Sequence, residues 1–99
     1  LGVVLFAPCG FNSLNKLAQG IADTLALSVA AEAIGRGTPV IVAPSLNQPL
    51  LDHPMAQASL RRLPEWGVRI VPPMDDGAGP RLAPTADLLD AVRPFAPRH

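Results

Sequence analysis

Two stretches of this chain share one plan: an apolar run, a proline, and an asparagine just beyond it. The first reads LGVVLFAPCGFN from Leu1 to Asn12, and the second reads VIVAPSLN from Val40 to Asn47. Continuous apolar runs rich in β-branched residues suit strands covered on both faces. Between the runs lies a stretch with helical spacing, so the chain reads as a β-α-β unit, which requires a parallel sheet. Asn12 and Asn47 then occupy loops that leave neighbouring strands at the same end. In an open parallel sheet that end is where ligands bind.

The elements follow from the same patterns. Leu1 to Ala7 forms a first strand, and Pro8-Cys9-Gly10-Phe11-Asn12 breaks it. Ser13 is suited to cap a helix. Leu14, Leu17, Ala18, Ile21, Leu25 and Val29 recur at three- and four-residue steps, which predicts one amphipathic helix ended by Gly35-Arg36-Gly37. Pro39 to Ala43 is a second buried strand, and Pro44 to Pro54 a long loop. Met55 to Trp66 has helical spacing, with Pro64 ending or distorting it. Gly67 to Val71 reads as a third strand, Met74 to Pro84 as a mobile Gly/Pro/Asp-rich loop, and Thr85 to Val92 as a short last helix. The tail PFAPRH is expected to fray.

The 99 residues suffice for one small domain. Eight basic and eight acidic residues cancel, so charge gives no reason to expect nucleic acid or an anionic membrane as partner. No apolar run approaches the roughly 20 residues that span a bilayer. LGVVLFAP lacks the basic start and cleavage site of a signal peptide, so the expected location is cytoplasmic. The single cysteine, Cys9, excludes an internal disulfide and a multi-cysteine zinc site. Opening on a buried strand, and having only three strands, the chain (residues 1–99) is expected to be the C-terminal part of a longer polypeptide or one piece of a cleaved one.

The residues around the two asparagines resemble the second half of the homo-oligomeric flavin-containing cysteine decarboxylases. That family includes phosphopantothenoylcysteine decarboxylase and the peptidyl-cysteine decarboxylases. Its pattern runs P-x-x-A-N-T, a helix ending G-I-x-D-x-L, P-x-M-N-x-x-M, and a small-N-P step. Pro8, Asn12, Ser13, Lys16, Gly20, Ile21, Asp23 and Leu25 match the first part; Pro44 and Asn47 match the second. Leu46 and Leu50 stand at the methionine positions, and His53-Pro54 takes the place of the Asn-Pro step. Flavin prenyltransferases share G-I-x-D-x-L but carry a charged loop where this chain has PSLNQ.

The resemblance implies a Rossmann-like, flavodoxin-like α/β fold with FMN across the carboxyl ends of the strands. Gly10, Phe11, Asn12 and Ser13 would line the flavin, and Ser45 would approach from the next strand. Asn47 would hold the substrate beside the flavin and be the catalytic residue, with Leu50 and Arg81 also on the substrate. The implied chemistry is oxidation of the cysteine side by hydride transfer to FMN, followed by loss of CO2 to give an enethiol. A homo-oligomer, a trimer or dodecamer, with a cysteine-containing peptide or small-molecule substrate completes the expectation.

Two departures refine it. The family's histidine lies in an N-terminal half outside these residues, and neither His53 nor His99 replaces it by position. The segment PMDDGAGPRLAP lacks the clamp cysteine of phosphopantothenoylcysteine decarboxylase, which favours the oxidative, peptide-acting branch. A non-catalytic FMN-binding or regulatory subunit is the alternative, as is phosphopantothenoylcysteine decarboxylase itself. Read without the resemblance, Asn12 and Asn47 are turn residues, Cys9 a small buried hydrophobe, His53 a helix-entry residue, and Trp66 and Phe95 packing residues. Asp75-Asp76 reads as a solvated turn rather than a metal site. Phe11, where the family has alanine, is expected to crowd or stack on the flavin.

Overall fold

The computed structural model describes residues 2–95. Strand β1 (Val4–Cys9) leads to helices α1 (Phe11–Leu17) and α2 (Leu25–Arg36). Strand β2 (Val40–Pro44) leads to α3 (Gln48–Asp52) and α4 (Pro54–Glu65). Strand β3 (Arg69–Ile70) precedes α5 (Thr85–Val92), and Arg93–Phe95 forms one 3-10 turn. The sheet is parallel throughout, in the order β1-β2-β3.

The central strand shows why its sequence is apolar at every position. Val40 and Val42 join a core with Leu14, Leu17, Leu27, Ala30 and Leu63, drawn from α1, α2 and α4. Ile41 and Ala43 point the other way, to Val71, Ala83 and Ala91, under α5. Side chains alternate between the faces of a strand, so covering both faces demands an unbroken apolar run. The result is the three-layer α/β arrangement.

Several boundaries differ from those the sequence predicts. The first strand begins at Val4 and reaches Cys9, so Pro8 lies inside it. The pairing with β2 slips between Phe6 and Cys9, and a bulge is where a proline, having no N–H, can be accommodated in a strand. The predicted strand start at Leu1, and Ala96 to His99 of the predicted frayed tail, lie outside the described residues.

The single helix predicted from Leu14 onward is two. Gly20 takes a left-handed φ of +77°, and the Ile21 amide donates back to the Lys16 carbonyl at 2.9 Å. This is the hydrogen-bonded stop that ends helices at glycine. A fresh helix starts at Thr24, whose side chain accepts from the Leu27 amide at 3.1 Å. The break turns the second half of the predicted stripe outward: Ile21, Leu25 and Val29 are exposed, Leu25 at 83%.

Three smaller corrections follow. The loop from Pro44 to Pro54 contains α3. The third strand is trimmed to Arg69–Ile70. The loop after it is ordered locally: Met74 and Arg81 pair as an antiparallel bridge with two backbone hydrogen bonds of 2.8 and 2.9 Å. Trp66 is 44% exposed and so is only half a packing residue.

Candidate functional site at the carboxyl ends of the strands

The loops that leave β1 and β2 are held together in two places. Beyond the last paired residues, the Ser45 amide donates to the Cys9 carbonyl at 2.9 Å. Farther out, the Phe11 and His53 rings meet edge to face, with centroids 5.2 Å apart and planes at 75°. That geometry suits the opposed edge and face charges of two aromatic rings. The loop bearing Gly10–Ser13 and the loop bearing Ser45–Asn47 are therefore neighbours.

On the first side, α1 begins without a capping side chain. The Leu14 amide is the first to find an intrahelical partner, Gly10 O at 2.9 Å. The preceding amides of Phe11, Asn12 and Ser13 are thus left as donors at the mouth of the site. Gly10 is extended, and a Cβ placed there would meet nothing within 4 Å, so approach to this backbone is open. Ser13 lies inside α1 and does not cap it; Gly10 holds that position. Asn12 is exposed and Ser13 half-buried.

On the second side, Asn47 caps α3: its Oδ1 accepts from the Leu50 amide at 3.0 Å. That bond takes one of the oxygen's two lone pairs, and the Nδ2 hydrogens of this exposed side chain have no partner among the described residues. Leu50 is half-buried against the core, and Leu46 is buried in it. Ser45 is exposed beside Cys9. His53 enters α4 as its cap, with Nδ1 accepting from the Met55 amide at 3.0 Å.

Cys9 is fully buried, and burial pushes its thiol up to about 12. A thiol so far from ionising is no nucleophile. Phe11 is half-buried and packs against the core as well as His53. Arg81 lies on the hairpin after β3, where its Nη2 pairs with Asp76 at 2.6 Å. That hydrogen bond and charge hold the Asp76 carboxyl below the usual carboxylate value. Asp75 accepts from the Gly77 and Gly79 amides, so both acids serve the hairpin. Among the described residues no group of three or more potential metal ligands gathers.

Sequence reasoning missed the bracing behind the site. Asn15 and Ser59 are buried polar residues, and Ser59 Oγ donates to Asn15 Oδ1 at 2.8 Å, joining α1 to α4. Arg62 adds a hydrogen bond to the Ala18 carbonyl at 3.1 Å. The available signal was position: Asn15 falls four residues after Phe11 and next to Leu14, on the buried face of α1. Lys16 reaches across the break between α1 and α2 to Asp23 at 2.8 Å, and its hydrogen bond lowers that carboxyl's pKa.

A family model described as Flavoprotein matches residues 2–96. The chain belongs to the Flavoprotein family. A probable phosphopantothenoylcysteine decarboxylase of Arabidopsis thaliana is 33% identical over 72 residues, covering 73% of this chain and 35% of that protein. Among solved structures, the FMN-binding protein AtHal3 superposes with a TM-score of 0.86 at 26% identity, over 99% of this chain and 57% of that one. The FMN-dependent cysteine decarboxylase SpaF gives a TM-score of 0.75 at 31% identity, over 97% and 53%. The flavodoxin-like fold predicted from sequence is thereby established, and the flavoprotein resemblance with it. The chain spans about a third of the Arabidopsis relative and about half of each solved chain.

Proposed function

We propose that this chain supplies the flavin-side loops of an FMN-dependent decarboxylase that acts on a cysteine-bearing substrate. The observation that carries the reading is the junction of the two loops. The Cys9–Ser45 hydrogen bond and the Phe11–His53 contact join the loop with uncapped backbone donors to the loop that carries Asn47, in a member of the Flavoprotein family. FMN fits this donor set. Its carbonyl, ribityl and phosphate oxygens are acceptors, and the open backbone at Gly10 leaves room for a large planar group.

Gly10, Phe11, Asn12 and Ser13 line the flavin in this reading, with Ser45 beside them. Bound FMN supplies the two-electron oxidation that makes the substrate carboxylate labile. The protein's own part is to bind and orient. Asn47 caps α3 with one lone pair of its oxygen and offers its Nδ2 hydrogens to a substrate carboxylate. Leu50 gives an apolar surface near it. Arg81 is a second carboxylate partner if the substrate displaces Asp76.

The substrate we favour is a peptide ending in cysteine, processed in the cytoplasm by a homo-oligomer, a trimer or a multiple of one. The hairpin Met74–Arg81 has no cysteine to return electrons to the product, which supports an oxidised enethiol product. Likeness to the Arabidopsis enzyme favours phosphopantothenoylcysteine as the second reading. A flavin-binding subunit without turnover is the third.

The test is a visible spectrum of the purified protein, then assays with cysteine-ended peptides and with phosphopantothenoylcysteine. A flavin spectrum with CO2 and enethiol from peptides supports the first reading, and thiol product from phosphopantothenoylcysteine the second. Flavin without CO2 from either supports the third. A colourless protein that takes up no FMN overturns all three. Asn47→Asp keeps the cap and deletes the amide donor; turnover should fall about a hundredfold or more, with FMN retained, on the scale seen when one oriented donor is removed from a reacting oxygen.

A further inference from the structure

His53 enters α4 at the mouth of the site, and its imidazole is fixed by two contacts. Nδ1 accepts from the Met55 amide at 3.0 Å, so its lone pair is used and the ring proton of the neutral form lies on Nε2. The ring meets Phe11 edge to face at 5.2 Å and 75°, which sets its rotation. Phe11 is itself anchored on the core and follows Gly10 directly, so the imidazole stands beside the uncapped first turn of α1. Among the described residues nothing accepts a hydrogen bond from Nε2, and His53 is exposed. A ring N–H, oriented from both sides and left unused among the described residues, is a built donor.

We propose that His53 is a flavin-binding residue that donates from Nε2 to an acceptor on the flavin ring, with Phe11 as its positioning residue. The proposal rests on the FMN reading above. The pyrimidine edge of a flavin carries two carbonyl oxygens and two ring nitrogens with lone pairs, so a neutral N–H donor is its natural complement. A donor there also shifts electron density in the ring and is visible in the flavin's absorption bands.

FMN titration followed by fluorescence quenching tests this on the unsubstituted protein, His53→Asn, Phe11→Ala and the double variant. Asparagine is a good helix cap, so His53→Asn keeps the start of α4 while removing Nε2. Its dissociation constant for FMN should rise about tenfold, the scale of one lost hydrogen bond, and the bands of the bound flavin should move. Phe11→Ala should also weaken binding, and the double variant should lose less than the sum of the two, because both remove the same oriented donor. Wild-type affinity and spectrum in His53→Asn, or additive losses in the double variant, overturn the proposal while leaving FMN binding in place. Failure of the unsubstituted protein to bind FMN overturns the flavin reading instead. A nitrogen-15 spectrum of the unsubstituted protein gives a measurement free of any folding defect: FMN must shift the His53 Nε2 resonance, and an unmoved resonance refutes the assignment.

Discussion

Asn15 is almost wholly buried, and the Ser59 hydroxyl satisfies its side-chain oxygen. Ser59→Ala leaves that oxygen without its partner, and the cost should be about 1–3 kcal/mol, read as a lower urea midpoint. Cys9 makes a different prediction, in pH. Its thiol ionises near 12 in the fold against 9.0 for an ordinary cysteine, because burial penalises the thiolate. Below 9 both states are protonated and the contribution is intact. As pH rises from 9 toward 12 only the unfolded chain gains by losing the proton, so stability should fall across that window and Cys9→Ala should flatten the fall. At pH 8 the folded thiol should resist iodoacetamide, checked by intact mass. At this scale the sequence was legible where chemistry is intrinsic to a residue: one cysteine after an apolar strand reads as a buried thiol. It was illegible where a role depends on a neighbour. That Asn47 has its oxygen occupied follows from where α3 begins, and α3 was hidden in what reads as a loop.

The break between α1 and α2 shows what periodicity conceals. Ile21, Leu25 and Val29 continue the three- and four-residue stripe, yet Ile21 falls in the break and Leu25 and Val29 on a second helix. The decisive signals are Gly20 in a left-handed turn and Thr24 as a new cap, and both are local. Thr24→Ala should cost about 1 kcal/mol, seen as a lower melting temperature. Elements set by long apolar runs, β1 and β2, were readable to within a few residues, although only β2 is buried throughout. Short ones that depend on partners were not: α3 stands on the Asn47 cap, and the Met74–Arg81 bridge on turn geometry and an exposed ion pair. That pair should be worth little in stability, and high salt should weaken it.

Across the molecule, β2 is covered by helices on both faces and by strands on both edges. The outer edge of β1 is different: among the described residues it carries no strand. A groove of about 500 Å³ runs beside it, lined by Leu5, Phe6, Pro8, Leu25 and Val29. Leu25 contributes so little to the packing of this chain that Leu25→Lys should change its unfolding free energy by no more than about 0.5 kcal/mol, measured by urea denaturation. The sealing of β2 has a consequence for time rather than energy. The Val42 amide, between two strands and two helical layers, should exchange with deuterium only when the whole fold opens. The loop bearing Asn47 therefore hangs from the slowest-breathing of the described strands.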